Sequence, residues 1–364
     1  MLIPLSKPDI GKSDERAILR IIGKCIRTGR LSRGPTVAAF EKQFSDYLSV
    51  KHSLAISNGT AALHLALLAH GIGQGDVVLT TPFTFVSTSN AALYVGARPK
   101  FVDINPKTYN IDPAKLQEVI DSKTKALIVV HVFGLPCDMK PIMEICEDHH
   151  VTLIEDACEA LGATYEGRKA GSFATSCFSF YPNKVVTTAE GGMLCTDDDR
   201  VMQVVDSLRN QGRKGGEWLE HQYVGFNYRM SDVHAAIGIP LMRKVDRLNA
   251  IREKNAKLYS NTLKEYPQVK IPPDVEGRTW FVYVVEVDDR DRIGSEMNKA
   301  GIECKPYFPP VHLQTPYRLM GFKEGDFPVC ENVAKRVLAL PFFTSITPKQ
   351  IGHVAKTLGE LSKR

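Results

Sequence analysis

Short apolar runs alternate with amphipathic segments along the first half of the chain. The apolar runs predict strands at HSLAIS, DVVLTT, PKFVDI, KALIVVHV and VTLIEDA. Helical spacing of apolar residues predicts helices near 13–28, 36–48, 60–71, 86–95, 113–121, 139–149 and 199–210. Strands that are almost wholly apolar and are separated by helices indicate a mostly parallel sheet covered by helices on both faces. The predicted fold class is therefore α/β.

The pattern changes in the second half. Two short strands, SCFSFY and GGMLCT, follow one another without a helix, and a long helical stretch covers residues 231–263. Beyond Pro267 the order is a strand at WFVYVVEVDD, a helix at RDRIGSEMNKAG, an extended piece at IECKPYF, and helices near 328–339 and 347–361. This order predicts a smaller α+β domain. We divide the chain into a large domain of residues 1–255 and a small domain of residues 256–364.

Composition narrows the class of protein. The 364 residues are 43% hydrophobic and 24% charged, and the net charge of +5 is spread along the chain, so we expect no surface for nucleic acid or membranes. No apolar run approaches the ~18 residues of a membrane span, and the N-terminal segment lacks the apolar core of a signal peptide. The eight cysteines include no CxxC pair, which disfavours a disulfide framework or a zinc site. We expect a cytoplasmic protein without a bound metal.

The stretch FSFYPNKVVTTAEGG, residues 178–192, places Lys184 beside an apolar strand. Burying an ammonium group is costly unless it is paired or neutral, and a desolvated lysine becomes a nucleophile. The alternative is a loop lysine in solvent. Ser179 offers a hydroxyl for a phosphate group, and the pair Gly191 and Gly192 allows close approach of the backbone.

Three further features follow predicted strands, at the edge where open α/β sheets bind ligands. Ser57–Thr60 opens a helix whose first amides can bind a phosphate, with a plain helix cap as the alternative. Phe85 can stack on a flat ring or belong to the core. Asp156 can bind a metal, cap a helix or hold a protonated ring nitrogen, and Glu159 follows one helical turn later. Together with Lys184 these features supply the parts of a pyridoxal phosphate site.

The order and spacing of these motifs resemble the DegT/StrS family of nucleotide-sugar aminotransferases over nearly the whole chain. The matching pieces are GRLSRGPTVAAFEKQF, SNGTAALHLALLAHGIGQGD, TPFTFVSTSNA, GARPKFVDI, VVHVFGLPCDM, IEDACEALGA, FSFYPNKVVTTAEGG, LRNQGR, VGFNYRMSDVHAAIG and LPFF. The resemblance implies the architecture of a fold type I aminotransferase, with a mostly parallel mixed sheet in the large domain and a smaller α+β C-terminal domain. It also implies pyridoxal 5'-phosphate as the cofactor and pyridoxamine 5'-phosphate as its intermediate form.

The resemblance also implies a role for each site residue. The implied roles are Lys184 for the Schiff base, Asp156 for the pyridine nitrogen, Gly59, Thr60 and Ser179 for the phosphate, Phe85 for stacking on the ring, Glu159 near the ring oxygen and the substrate, and Asn227 for the phosphate of the neighbouring subunit's cofactor. The last of these roles implies a homodimer with a shared active site.

The implied reaction moves the amino group of L-glutamate onto a keto carbon of a nucleotide-linked sugar. EDACEALGA and FSFYPNKVVTTAEGG look most like the subgroup that aminates C4 of 4-keto-6-deoxyhexoses, as in perosamine synthesis for surface polysaccharide or lipopolysaccharide. Whether the nucleotide is GDP, UDP or dTDP stays open. Arginine suits a pyrophosphate because its fork binds in a bidentate manner, while an ordinary surface charge is the alternative. Candidate substrate contacts are Arg30, Arg33, Arg209, Arg213, Arg229 and His312.

Two positions depart from the family pattern. Thr175 stands where the family usually has Asp, and Pro240, which replaces a usual Gln, is expected to bend a helix or start a new one. A lysine at position 184 favours transamination over the dehydration carried out by relatives with histidine there. Amination at C3 or of a keto-cyclitol stays open. A regulatory or sensory protein that binds the cofactor without turnover is the alternative from another class, and intact Lys184, Asp156 and Ser179 argue against it.

Overall fold

The computed structural model describes residues 2–215 and 220–363. The strands are β1 His52–Ile56, β2 Val77–Thr80, β3 Arg98–Phe101, β4 Thr124–Val130, β5 Thr152–Asp156, β6 Thr164–Tyr165, β7 Arg168–Lys169, β8 Thr175–Ser179, β9 Gly192–Thr196, β10 Tyr283–Glu286 and β11 Val337–Leu340. The α-helices are α1 Lys12–Thr28, α2 Pro35–Leu48, α3 Gly59–Ala69, α4 Ser87–Tyr94, α5 Pro113–Val119, α6 Met139–Asp148, α7 Asp199–Leu208, α8 Asp232–Met242, α9 Val245–Leu263, α10 Arg290–Lys299, α11 Thr315–Arg318, α12 Pro328–Arg336 and α13 Pro348–Leu361.

The large sheet has the strand order β1-β9-β8-β5-β4-β2-β3 within the described residues. β9 runs antiparallel to both of its neighbours, and the other adjacent pairs are parallel. The register places Asp156 of β5 beside Val130 of β4 and Cys177 of β8. Because parallel strands end at the same edge, the loops after β2, β4, β5 and β8 share one surface. The predicted mostly parallel mixed sheet is confirmed.

Helix α3 is buried along almost its whole length. Its residues are mainly alanine and leucine, so it packs on all sides and shows no single apolar stripe. Asn58 caps the helix, because its Oδ1 accepts the Ala61 N–H at 2.8 Å. The cap places the first turn of α3 at the ligand-binding edge of the sheet.

The C-terminal part of the chain builds a second core around β10 and β11, which pair antiparallel. The rings of Tyr259, Tyr283 and Phe342 pack together in this core, with Ile351 of α13. This arrangement confirms the smaller α+β part. Tyr259 belongs to α9, which begins at Val245, so the predicted boundary between residues 255 and 256 falls inside one continuous helix. The division into two domains at that point stays a prediction.

Two predicted elements need correction, and one hairpin was not predicted. The stretch 231–263 forms two helices, α8 and α9, and Pro240 lies in the last turn of α8 just before the break. The helix predicted for 328–339 ends at Arg336, because the apolar run VLAL that follows pairs with β10 as β11. The hairpin of β6 and β7 was not predicted, since strands of two residues leave no alternating pattern.

Thr175, the first departure from the family pattern, lies in β8. Its hydroxyl contacts His70 Nε2 at 2.9 Å and Thr196 Oγ1 at 3.1 Å. Neutral hydrogen bonds therefore occupy the place of the usual carboxylate. Across the two described ranges, no helix is long and apolar enough to cross a membrane, and no cluster of His, Cys, Asp or Glu side chains could hold a metal ion.

Candidate active site

A cavity of about 710 Å³ opens at the carboxyl edge of the large sheet. It brings together seven of the residues predicted for the cofactor: Gly59, Thr60, Phe85, Asp156, Glu159, Ser179 and Lys184. These residues come from the loops after β1, β2, β5 and β8, as the topology of parallel strands requires. The sequence-based grouping of these side chains therefore corresponds to one cavity.

Lys184 is mostly buried and faces two groups that favour a cation. Its side chain is 14% exposed, and its Nζ lies 4.0 Å from Glu159 Oε1. The same Nζ lies 3.9 Å from the centre of the Phe281 ring, a distance suited to a cation–π contact. The alternative of a loop lysine in solvent is wrong, because this amine is aimed into the cavity.

Glu159 is a buried carboxyl group at the side of Lys184. Burial raises its pKa from 4.5 to about 7, even though the Lys184 charge and the hydrogen bond from the Phe133 amide act in the opposite direction. The nearby Asp156 charge adds to the rise. Phe133 N–H donates to Glu159 Oε2 at 2.9 Å. A carboxyl group with this pKa exchanges its proton near neutral pH.

Asp156 is fixed at the end of β5 by two donors. The Thr88 hydroxyl donates to Oδ2 at 2.8 Å, and the Cys158 amide donates to Oδ1 at 3.2 Å. Thr84 Oγ1 lies 2.9 Å from Thr88 Oγ1 and extends this chain of hydroxyl groups. The carboxylate is therefore held as an acceptor that faces the cavity.

The end of the cavity at α3 offers neutral hydrogen-bond donors. The Thr60 hydroxyl donates to Ser87 Oγ at 2.8 Å, and both side chains line the cavity together with Ser179. A Cβ at Gly59 would lie 3.1 Å from Ser179 Cβ and 3.2 Å from Cys158 Sγ, so glycine lets the first turn of α3 approach β8 closely. The Asn58 cap and the predicted phosphate site thus share one helix start.

Phe85 lies on the cavity wall with 62% of its surface exposed. The alternative of a core phenylalanine is therefore wrong. An exposed ring in the cavity that Asp156 also lines is suited to stack on a flat heteroaromatic ligand.

Several residues that line the cavity are not among the predicted site residues. Phe281, Tyr307 and Phe308 belong to the C-terminal part of the chain, while His64 and Tyr228 form an aromatic wall near α3. The positions of Phe281, Tyr307 and Phe308 depend on packing between distant segments, and none of the matching family motifs contains them. His64 and Tyr228 lie inside such motifs, but nothing local marks them as cavity residues. Tyr181 and Asn183, which also line the cavity, sit inside the lysine motif but were not singled out.

The predicted substrate contacts lie outside this cavity. Arg209 is buried and pairs with Glu41 and Asp206, and its Nη1 donates to the Ala55 carbonyl at 2.8 Å. His312 is also buried, with its Nε2 3.0 Å from a carboxylate oxygen of Glu331. These two side chains therefore have structural partners. Their contact with substrate stays a prediction.

The remaining arginines lie near one another on a different surface. Burial lowers the pKa of Arg229, and the Arg213 and Arg33 charges lower it further, so the three cations are neighbours. Arg33 pairs with Asp206 at 3.0 Å, and Arg229 Nη1 donates to an asparagine oxygen at 2.9 Å. Arg30 and Asn227 are exposed.

The chain matches the model of the DegT/DnrJ/EryC1/StrS aminotransferase family over residues 12–359. It belongs to this family. GDP-perosamine synthase of Caulobacter vibrioides is 39% identical over 348 residues, 93% of each chain. The spore coat polysaccharide biosynthesis protein SpsC of Bacillus subtilis is 35% identical, covering 99% of this chain and 97% of the relative. A pleiotropic regulatory protein of Geobacillus stearothermophilus is 36% identical over 94% of each chain.

Solved structures of similar shape include several sugar aminotransferases. DesV of S. venezuelae, in complex with a ketimine intermediate, has a TM-score of 0.94 at 29% identity and covers 100% of this chain and 99% of its own. DesI, in the presence of its TDP-sugar product, has a TM-score of 0.91 at 29% identity and covers 100% of this chain and 93% of its own. Spr1654 of Streptococcus pneumoniae in its PLP form has a TM-score of 0.94 at 25% identity and covers 100% of this chain and 99% of its own.

The family and these structures are pyridoxal phosphate-dependent nucleotide-sugar aminotransferases. The expectations of an enzyme, of fold type I and of pyridoxal phosphate as its cofactor are therefore confirmed. The donor set of the cavity fits this cofactor: hydroxyl groups and helix amides suit a phosphate dianion, and the carboxylate of Asp156 suits a pyridinium. Lys184 and Phe85 line the same cavity, and their amine and exposed ring suit the Schiff base and the ring stacking that the resemblance implies.

Proposed function

We propose that this aminotransferase moves the amino group of L-glutamate onto C4 of a nucleotide-linked 4-keto-6-deoxyhexose, for surface polysaccharide or lipopolysaccharide precursors. The observation that carries the proposal is the cavity that joins Lys184, Asp156 and Glu159 in a chain 39% identical to a GDP-perosamine synthase. A second relative is named for polysaccharide biosynthesis. Cytoplasmic location stays a prediction.

Each cavity residue has a defined task in this reaction. When bound, pyridoxal phosphate supplies an electron sink that lets an amino acid lose its Cα proton. Asp156 holds the ring nitrogen in its charged form, because an opposite charge at close range favours protonation. Lys184 would hold the cofactor through its Nζ, and when that amine is free it would accept and return a proton. Glu159, whose pKa is about 7, holds or releases a proton beside Lys184.

We further propose that the active site is completed by a second copy of the chain. Asn227 is exposed and lies outside the cavity of its own chain, in a loop that bridges to Asn210. Arg229 lies two positions later and is a neighbour of Arg33 and Arg213. These features support a role in the partner's cavity, with Asn227 at the cofactor phosphate and the arginines, together with the exposed Arg30, at the sugar diphosphate.

The test uses a panel of nucleotide-linked keto-sugars with L-glutamate as donor, and amine formation is followed by mass. The proposal expects product from 4-keto-6-deoxyhexoses, with the preferred nucleotide read from the same panel. Product only from 3-keto-sugars or keto-cyclitols would overturn the C4 assignment and retain the aminotransferase. Turnover with another amino donor and none with glutamate would overturn the donor assignment.

A further inference from the structure

A turn at residues 131–137 connects the end of β4 to the cavity. Within it Phe133 has φ 54° and Gly134 has φ 82°, both in the left-handed region. A phenylalanine in this region is unfavourable, and such strain persists only where the surroundings hold the backbone in place. A Cβ at Gly134 would clash with the carbonyl group of Thr279, so only glycine fits there.

Asn110, a buried residue outside the described cavity, holds this turn by its side chain. Its Oδ1 accepts the Val132 N–H at 2.9 Å, while its Nδ2 donates to the Leu135 carbonyl at 2.9 Å and to the Pro136 carbonyl at 3.0 Å. The pattern of one donor and two acceptors fixes the orientation of the amide. A single side chain therefore ties both ends of the strained segment.

The turn provides one backbone donor to Glu159 and one ring that packs against aromatic residues of the cavity wall. The Phe133 N–H donates to Glu159 Oε2 at 2.9 Å, and the other oxygen of that carboxyl lies 4.0 Å from Lys184 Nζ. The Phe133 ring stacks on Phe308 at 5.6 Å between centres and lies 6.2 Å from Tyr307. Both of these aromatic residues line the cavity.

We propose that Asn110 is a positioning residue, which holds the turn 131–137 so that the Phe133 amide keeps the Glu159 carboxyl group opposite Lys184. This inference rests on the proposed role of Glu159 beside the cofactor. The titratable groups that face Glu159 are Lys184, Asp156 and Tyr307. Because the Phe133 hydrogen bond lowers the Glu159 pKa, its loss would leave less negative charge at the lysine.

The experiment compares full-length, cofactor-loaded Asn110→Ala with Glu159→Gln and with the double variant. The readout is the pH midpoint of the visible absorbance band of lysine-bound cofactor. Removing a carboxylate within reach of the lysine nitrogen disfavours the protonated form, so Glu159→Gln should lower the midpoint by about one unit or more. Asn110→Ala should lower it by a smaller amount, and should add no further shift in the Glu159→Gln background.

Hydrogen–deuterium exchange of the same proteins provides a readout that is independent of activity. Asn110→Ala should speed exchange of the amides in residues 131–137. Should the alanine variant fail to fold, Asn110→Ser is used, because its hydroxyl retains part of the bonding and is expected to shift the midpoint in the same direction. A lower melting temperature with an unchanged midpoint would overturn the inference.

Two other results would separate the role of Asn110 from the proposed function. An equal shift from Asn110→Ala in the native and Glu159→Gln backgrounds would show that Asn110 does not act through Glu159. A native protein without the visible band would refute the proposed function instead. Hydrogen–deuterium exchange would then still test whether Asn110 holds residues 131–137. Unchanged exchange of these amides in Asn110→Ala would overturn that role.

Discussion

Glu159→Gln tests whether burial sets the protonation of the carboxyl group beside Lys184. In the folded protein the Glu159 pKa is about 7, above the ordinary value of 4.5. The folded state therefore binds this proton more tightly than the unfolded chain does. The resulting stability is fully present below about pH 4.5 and is lost as the pH rises through 7. Each unit of pKa difference corresponds to about 1.36 kcal/mol, so the whole loss is about 3 kcal/mol.

The assay is urea unfolding of the cofactor-free protein at a series of pH values from 5 to 8.5, with the free energy of unfolding compared between native protein and Glu159→Gln. Taking the difference cancels the titration of other groups. We expect native protein to lose about 2 kcal/mol relative to the variant between pH 5 and pH 7, and to change little above pH 8. A difference that is independent of pH would refute the reasoning.

Lys184→Met provides the matched control. The Lys184 charge lowers the Glu159 pKa, so its removal should move the pH window of the stability loss upward. If the pH range of the stability loss is unchanged, the charges of Lys184 and Glu159 do not interact at 4.0 Å.

Three further outcomes are expected. Gly134→Ala should destabilise the protein by about 2 kcal/mol or more in urea unfolding, because φ is 82° and the new Cβ meets Thr279; an unchanged midpoint would contradict this. Asp156→Asn should lower the turnover rate by about 100-fold or more while circular dichroism stays native, and near-native turnover would exclude the ring-nitrogen role. Asn227→Ala should weaken cofactor binding in a titration with pyridoxal phosphate, whereas unchanged affinity would exclude the role of Asn227 at the cofactor phosphate.

The sequence predicted the succession of most strands along the chain and seven residues that meet in the cavity, because both depend on local signals. An apolar strand followed by a chemically active residue predicted Asp156, Ser179 and Lys184 in one place, and parallel strands bring such residues to one edge. Phe85 and Glu159 were also candidates from their places after strands, and the resemblance to a known family implied their roles. Both line the cavity.

The features that could not be predicted arise from contacts between distant segments. Phe281 reaches Lys184 only because the C-terminal part of the chain packs over the large sheet. The burial of Arg209 could not be predicted either, because its partner Glu41 lies 168 positions away in the sequence. Its contact with substrate stays a prediction. The strand β11 was read as helix, since four apolar residues after a helix carry no period of their own and pairing with β10 decides their conformation.

The central claim is that Lys184 binds pyridoxal phosphate and that L-glutamate is the amino donor. The most direct measurement is the absorbance spectrum of the purified protein with added pyridoxal phosphate, before and after L-glutamate, beside a Lys184→Ala control. The account predicts a visible band in the native protein that glutamate converts to the shorter-wavelength pyridoxamine form, and no such band in the control. A native protein without the band, or a control that retains it, would contradict the assignment of Lys184. A band that does not respond to glutamate would contradict the proposed donor.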